Sequence, residues 1–189
     1  MTEIYFKPYS NRKLELAFFN HLIGKLEDYI HIPEEYKLPP AMISKHLNTK
    51  TIFEKLEFDE KLSPLKKQRL LKVISKLPDK IKVAETISKV TVDIVLVKND
   101  NVEYIEFHEK QHRNISDSRL KPIFTTDNKR IEIPRYAHRF LKDIWRVEYL
   151  DNFKIVWWDW FEKNQNYDPN NSKKEYSLSG KFSFNELMK

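Results

Sequence analysis

Residues 89–113, KVTVDIVLVKNDNVEYIEFHEKQHR, decide how this 189-residue chain is read. Residues 90–97 are apolar and β-branched, and residues 102–107 (VEYIEF) alternate, so both segments read as strands. Between them Asn99 and Asp100 tolerate the positive φ that a two-residue hairpin loop demands. With that pair at the turn, Lys98 faces Asn101, Val97 faces Val102, Val95 faces Tyr104 and Asp93 faces Glu106. Alternation then places Asp93, Val95, Val97, Val102, Tyr104, Glu106 and His108 on one face.

Two carboxylates set opposite each other destabilise a ladder. At about 5 Å and an effective dielectric of about 20 the repulsion is roughly 3 kcal/mol. A divalent cation between them reverses the sign. A few hard oxygen ligands on a rigid sheet suit Mg²⁺ with several waters retained. Such an ion activates water and stabilises a phosphoryl transition state.

Asp93, Glu106 and the run Glu106-Phe107-His108-Glu109-Lys110-Gln111-His112 resemble the catalytic hairpin of the restriction-endonuclease-like, PD-(D/E)XK, nucleases. Asp93 stands at the Asp, Glu106 at the Glu, and His108 at the position usually held by Lys. The run is also similar to the E-x-D-x-x-Q-H variant of some restriction enzymes and of relatives of very-short-patch repair endonucleases. Val92 replaces the Pro before the Asp. With the Lys gone, His108, Gln111 and His112 compete for the role of base or water-orienting group. The resemblance implies an α/β fold with a restriction-endonuclease-like central mixed sheet of four to six strands flanked by helices. It implies Asp93 and Glu106 as metal ligands and Asp93, Glu106, His108, Gln111 and His112 as the catalytic set. It also makes Glu15, on the first helix, a candidate outer ligand. The same Glu equally suits an exposed helix start, where the dipole favours a negative charge.

The charge distribution agrees with a polyanionic substrate. Ten Lys or Arg residues against four acids lie between Lys110 and Arg146, which accounts for the whole net charge of +6. Arg113, Arg119, Lys121, Lys129, Arg130, Arg135, Arg139 and Lys142 are the candidate DNA-binding residues. There are no cysteines, so neither a disulfide framework nor a thiolate site is available. No apolar run reaches the ~18 residues of a membrane span, the N-terminus lacks a signal-peptide core, and no GxxxxGK[ST] nucleotide motif occurs. A cytoplasmic protein without membrane or nucleotide partner is expected.

Around the hairpin, residues 10–30 read as a helix capped by Ser10, with Leu14, Ala17, Phe18, Leu22 and Leu26 on its apolar row. Residues 41–58 read as helical, with 48–51 a possible interruption. Ser63-Pro64 opens a helix whose apolar face is Leu65, Leu70, Leu71, Ile74 and Leu77. Residues 81–87 suggest a short strand leading into the hairpin, and Glu85 an additional acid. Residues 123–126 and 130–133 flank Asp127-Asn128-Lys129 as a small hairpin, the kind of insertion that reads DNA. Pro134 opens an amphipathic helix over 135–150. Its apolar side holds Tyr136, Ala137, Phe140, Leu141, Ile144, Trp145 and Val147. Its opposite, basic side holds Arg135, His138, Arg139, Lys142 and Arg146. Residues 153–161 read as a buried strand beside the hairpin, with Trp157, Trp158 and Trp160 as core.

Residues 1–163 are thus expected to form one nuclease domain. Residues 164–189 follow as a polar linker and a tail that docks on the domain or on a partner subunit. The expected activity is Mg²⁺-dependent hydrolysis of double-stranded DNA at a specific sequence, that of a type II restriction endonuclease acting as a homodimer. A repair or nicking endonuclease of the same fold is the nearest alternative, followed by a non-catalytic DNA-binding protein. His108-Glu109-Lys110-Gln111-His112 also satisfies the H-E-x-x-H zinc-hydrolase pattern, which requires a helix over 106–114.

Overall fold

A computed structural model describes residues 1–57, 63–83, 91–108 and 118–157. In chain order the elements are β1 (Thr2–Phe6), α1 (Lys13–Ile23), β2 (Tyr29–Ile32), α2 (Pro40–Ile43), β3 (Leu47–Asn48), α3 (Thr49–Glu57) and α4 (Pro64–Ile74). There follow β4 (Lys80–Lys82), β5 (Ile94–Lys98), β6 (Asn101–His108), β7 (Leu120–Thr125), β8 (Arg130–Pro134), α5 (Arg135–Tyr149) and β9 (Phe153–Trp157). The described residues are thus mixed α/β, with two sheets and five helices. They fall into two units, residues 1–36, 92–108 and 150–157 in the first and the remainder in the second.

The first unit is built on the expected hairpin. Asn99 and Asp100 have φ of 48° and 65°, as a two-residue loop of the I′ kind requires. The β5–β6 register runs from Lys98↔Asn101 through Val97↔Val102 and Val95↔Tyr104 to Ile94↔Ile105. The ladder therefore stops one pair short of Asp93. β9 pairs parallel to β6, with Glu106 beside Ile155 and His108 beside Trp157. β1 pairs antiparallel to β5 and parallel to β2, giving the mixed order β2-β1-β5-β6-β9.

α1 closes one face of this sheet. Phe18, Phe19 and Leu22 pack with Ile4, Phe6, Ile94, Leu96, Ile105, Phe107 and Val156. Phe6 stacks on Phe19 at 4.2 Å and Phe18 on Phe107 at 5.1 Å. Each such side chain contributes about 1.5–3 kcal/mol on burial. On the other face Tyr36 meets the edges of Tyr5 and Tyr104, at 5.0 and 6.0 Å.

Several local expectations are corrected here. α1 begins at Lys13, after Arg12, whose side chain makes no capping bond, so Ser10 is not the cap. The helix ends at Ile23, and residues 29–32 form a strand rather than its last turn. Ala17 is exposed, and Phe19 takes its place on the buried side. β1, with Thr2, Ile4 and Phe6 inward, lies inside the sheet, a strand that the sequence analysis does not anticipate.

The second unit holds an antiparallel sheet of order β3-β4-β7-β8. The β7–β8 hairpin turns at Asn128, with φ 63°, as its Asp-Asn-Lys sequence suggested. α5 packs on β7 and β8, and α3 on α4 and α5. Ser63 caps α4 by accepting a bond from Lys66 N. Only Leu70 and Ile74 of the expected apolar face are buried on α4, while Leu65 and Leu71 are exposed. The helix expected over 41–58 is two helices separated by β3. The strand before the hairpin is β4, which pairs with β3 and β7, and Glu85 lies outside the described residues.

Trp145 Nε1 donates to Lys45 O at 3.2 Å, and the Tyr149 hydroxyl donates to His46 O. Arg146, expected on the outer basic side of α5, is buried. Its Nη1 donates to Asp143 Oδ1 at 2.9 Å, and its Nη2 donates to Thr91 O. Among the described residues no helix is long and apolar enough to cross a membrane.

Candidate active site

Asp93 sits where the chain enters β5. Freed from the ladder, its Oδ2 accepts a hydrogen bond from Phe107 N at 2.9 Å. That bond ties it to the backbone between Glu106 and His108. Its Oδ1 lies 3.3 Å from Arg12 Nη1, and the same nitrogen lies 3.0 Å from Glu15 Oε2. Glu15 projects from the first turn of α1 and is 3% exposed. The surface position that the helix dipole alone would favour is therefore overturned.

The burial of Glu15 follows from its spacing. Glu15, Phe18, Phe19 and Leu22 stand at i, i+3, i+4 and i+7, so Glu15 shares the face that the aromatic residues bury. That pattern was available in the sequence. Arg12 carries no such signal, because nothing local distinguishes it from the neighbouring Lys13.

Electrostatics gather these groups into one site. Burial and then the charge of Asp93 push the Glu15 carboxyl from an ordinary 4.5 up to about 8, against the pull of Arg12, and Glu106 adds to the rise. Burial disfavours the charge on Arg12, yet Glu15 and Asp93, with a smaller contribution from Glu106, raise its pKa. Three carboxylates thus act on one guanidinium. Holding a proton on Glu15 lowers the negative charge beside Asp93.

Glu106 and His108 are both buried on β6. As alternate residues they share a face, and an oxygen of Glu106 and a ring nitrogen of His108 lie within 4.8 Å of each other. Glu15 and Asp93 present carboxylate oxygens to one Arg12 nitrogen, and hard oxygen donors of this kind suit a divalent cation. His108 adds a buried imidazole beside Glu106.

Gln111, His112 and Arg113 lie outside the described residues. His108 closes an eight-residue strand, so the first His of the H-E-x-x-H pattern does not stand on the helix that zinc chemistry needs.

The remaining candidate DNA-binding residues belong to the second unit. Arg119, Lys121, Lys129 and Arg130 are exposed on or beside the β7–β8 hairpin. Lys129 pairs with Asp127 at 3.2 Å, and Arg130 pairs with Glu132. Arg135, Arg139 and Lys142 on α5 are half-buried and engaged in interactions. His138, beside them, is pushed down to about 4 by burial and then by the charges of Lys142 and Lys121.

No protein-family model, curated protein or solved structure matches the chain.

Proposed function

We propose that the protein is a Mg²⁺-dependent endonuclease of the restriction-endonuclease-like kind, acting on double-stranded DNA. The observation that carries this reading is the set of carboxylates around Arg12. Glu15 from α1 and Asp93 before β5 share Arg12 Nη1, and the charge of Glu106 on β6 acts on both Glu15 and Arg12. Hydrogen bonds hold Asp93 and Glu15 in place: Phe107 N on Asp93, and Arg12 between Asp93 and Glu15.

Asp93 and Glu106 would hold the ion, with Glu15 as a further oxygen ligand. When bound, the ion supplies an activated water and charge for the phosphoryl transition state. His108, at the end of β6 close to Glu106, takes the place of the usual lysine and accepts or orients the proton of the attacking water. The exposed cations of the β7–β8 hairpin, Lys121, Lys129 and Arg130, supply backbone contacts, and the hairpin is the element proposed to read sequence. Cleavage of both strands at a specific site, the behaviour of a type II restriction endonuclease, would call for a homodimer.

The test is incubation with phage DNA and Mg²⁺, followed by sequencing of the fragment ends. Discrete double-strand ends support a restriction endonuclease, and discrete nicks support a nicking enzyme of the same chemistry. Asp93→Ala and Glu106→Ala are each expected to lose cleavage by at least about a hundredfold while retaining DNA binding. Unchanged cutting by either variant removes the site.

A further inference from the structure

Arg12 holds an unusual position for a guanidinium. The usual arrangement is two parallel N–H bonds to one carboxylate. Here one nitrogen, Nη1, is divided between Glu15 Oε2 at 3.0 Å and Asp93 Oδ1 at 3.3 Å. That is the bridging place a small cation would take. The Arg12 side chain is 43% exposed, against 4% for Glu15 and 15% for Asp93, so it reaches the acids from the solvent side.

A second set of contacts holds Arg12 without involving the acids. Its guanidinium lies over the Tyr9 ring at 4.9 Å. The Tyr9 hydroxyl donates to Glu35 Oε1 at 2.6 Å, and Arg12 N donates to Tyr9 O at 3.0 Å. The Lys7 ammonium lies 5.7 Å from the same ring. The Tyr9 ring is thus a contact of the guanidinium separate from the two carboxylates.

We propose that Arg12 is a displaceable counter-cation that becomes a ligand for a DNA phosphate. Without a divalent ion it bridges Glu15 and Asp93. An ion on those oxygens removes its partners and sets a like charge beside it. The guanidinium then moves outward on the Tyr9 face and meets the backbone phosphate. This inference rests on the nuclease reading.

Two measurements on the full chain test it without reading cleavage. The first is calorimetric titration with Ca²⁺ alone for the parent, Arg12→Gln and Asp93→Ala. Arg12→Gln is expected to bind Ca²⁺ roughly five- to tenfold more tightly, and Asp93→Ala to lose binding. The second is the salt dependence of binding to a DNA duplex, followed by fluorescence anisotropy in Ca²⁺ and in EDTA. Arg12→Gln is expected to lower the salt slope by about one unit in Ca²⁺ and to leave it unchanged in EDTA. Arg12→Lys, which keeps the charge, is expected to restore the slope in Ca²⁺.

A slope change of equal size in both conditions overturns the proposal in favour of a fixed phosphate contact. No change in either condition overturns it in favour of a purely structural role. Ca²⁺ binding lost in Asp93→Ala but no tighter in Arg12→Gln overturns the displacement alone. Absence of Ca²⁺ binding by the parent, or equal binding by Asp93→Ala, removes the metal site and this inference together.

Discussion

Replacing Glu15 with Gln keeps the shape of the side chain and removes its titration. In the folded protein Glu15 holds its proton up to about pH 8, against 4.5 for an ordinary carboxyl. The folded state therefore binds more protons than the unfolded state between those values. The resulting stabilisation is complete below about pH 4.5, declines as pH rises, and is gone above about pH 8. Between pH 6.5 and 9, linkage at about 1.36 kcal/mol per unit gives a loss of about 2 kcal/mol in the metal-free protein. Urea denaturation in EDTA at half-unit steps of pH measures it. Glu15→Gln is expected to flatten the curve across that window, with little cost at pH 6.5, because an amide replaces a protonated acid. A divalent ion is expected to flatten the parent's curve too, since Glu15 loses its proton to become a ligand. The same event releases close to one proton per ion at pH 7, seen as a dependence of the binding heat on the buffer's ionisation enthalpy. A Glu15→Gln curve as steep as the parent's would refute the argument, because another group would then carry the titration.

His138 predicts the opposite slope at lower pH. Burial, then Lys142 and Lys121, hold it at about 4 against an ordinary 6.5, so its contribution is present above pH 6.5 and is lost as pH falls to 4. Acid denaturation is expected to cost up to about 3 kcal/mol across that window in the parent, and less in His138→Gln. Arg146→Met removes one partner of buried Asp143 and the donor to Thr91 O; a loss of roughly 3 kcal/mol in urea denaturation is expected. Asp100→Gly relieves a left-handed residue with φ 65° and is expected to raise stability by up to about 1 kcal/mol, read as a higher thermal midpoint.

The hairpins, the Ser63 cap and the start of α5 were legible because their determinants are local. A turn that needs positive φ at two residues selects Asn-Asp within four positions, and once it is placed the strand period sets every facing pair. The pairing of Val95 with Tyr104 follows from that alone, and so does the nearness of Asp93 to the backbone beside Glu106. Interruptions such as β3 were harder to read, because a two-residue strand exists only through the β4 strand it pairs with.

The β5–β6 hairpin, and with it the contact of Asp93 with the backbone beside Glu106, was therefore written locally. Tertiary structure decided which charges are buried beside them. Arg146 carries the same local signals as an exposed helical charge yet is buried against Asp143 and Thr91 O, and the spacing that sets Glu15 on the buried face of α1 does not name Arg12 as what it meets. The position of β1 between β2 and β5 was settled at the same level. Burial depends on which distant segments cover a residue, and periodicity within one helix marks a face without naming what it will meet.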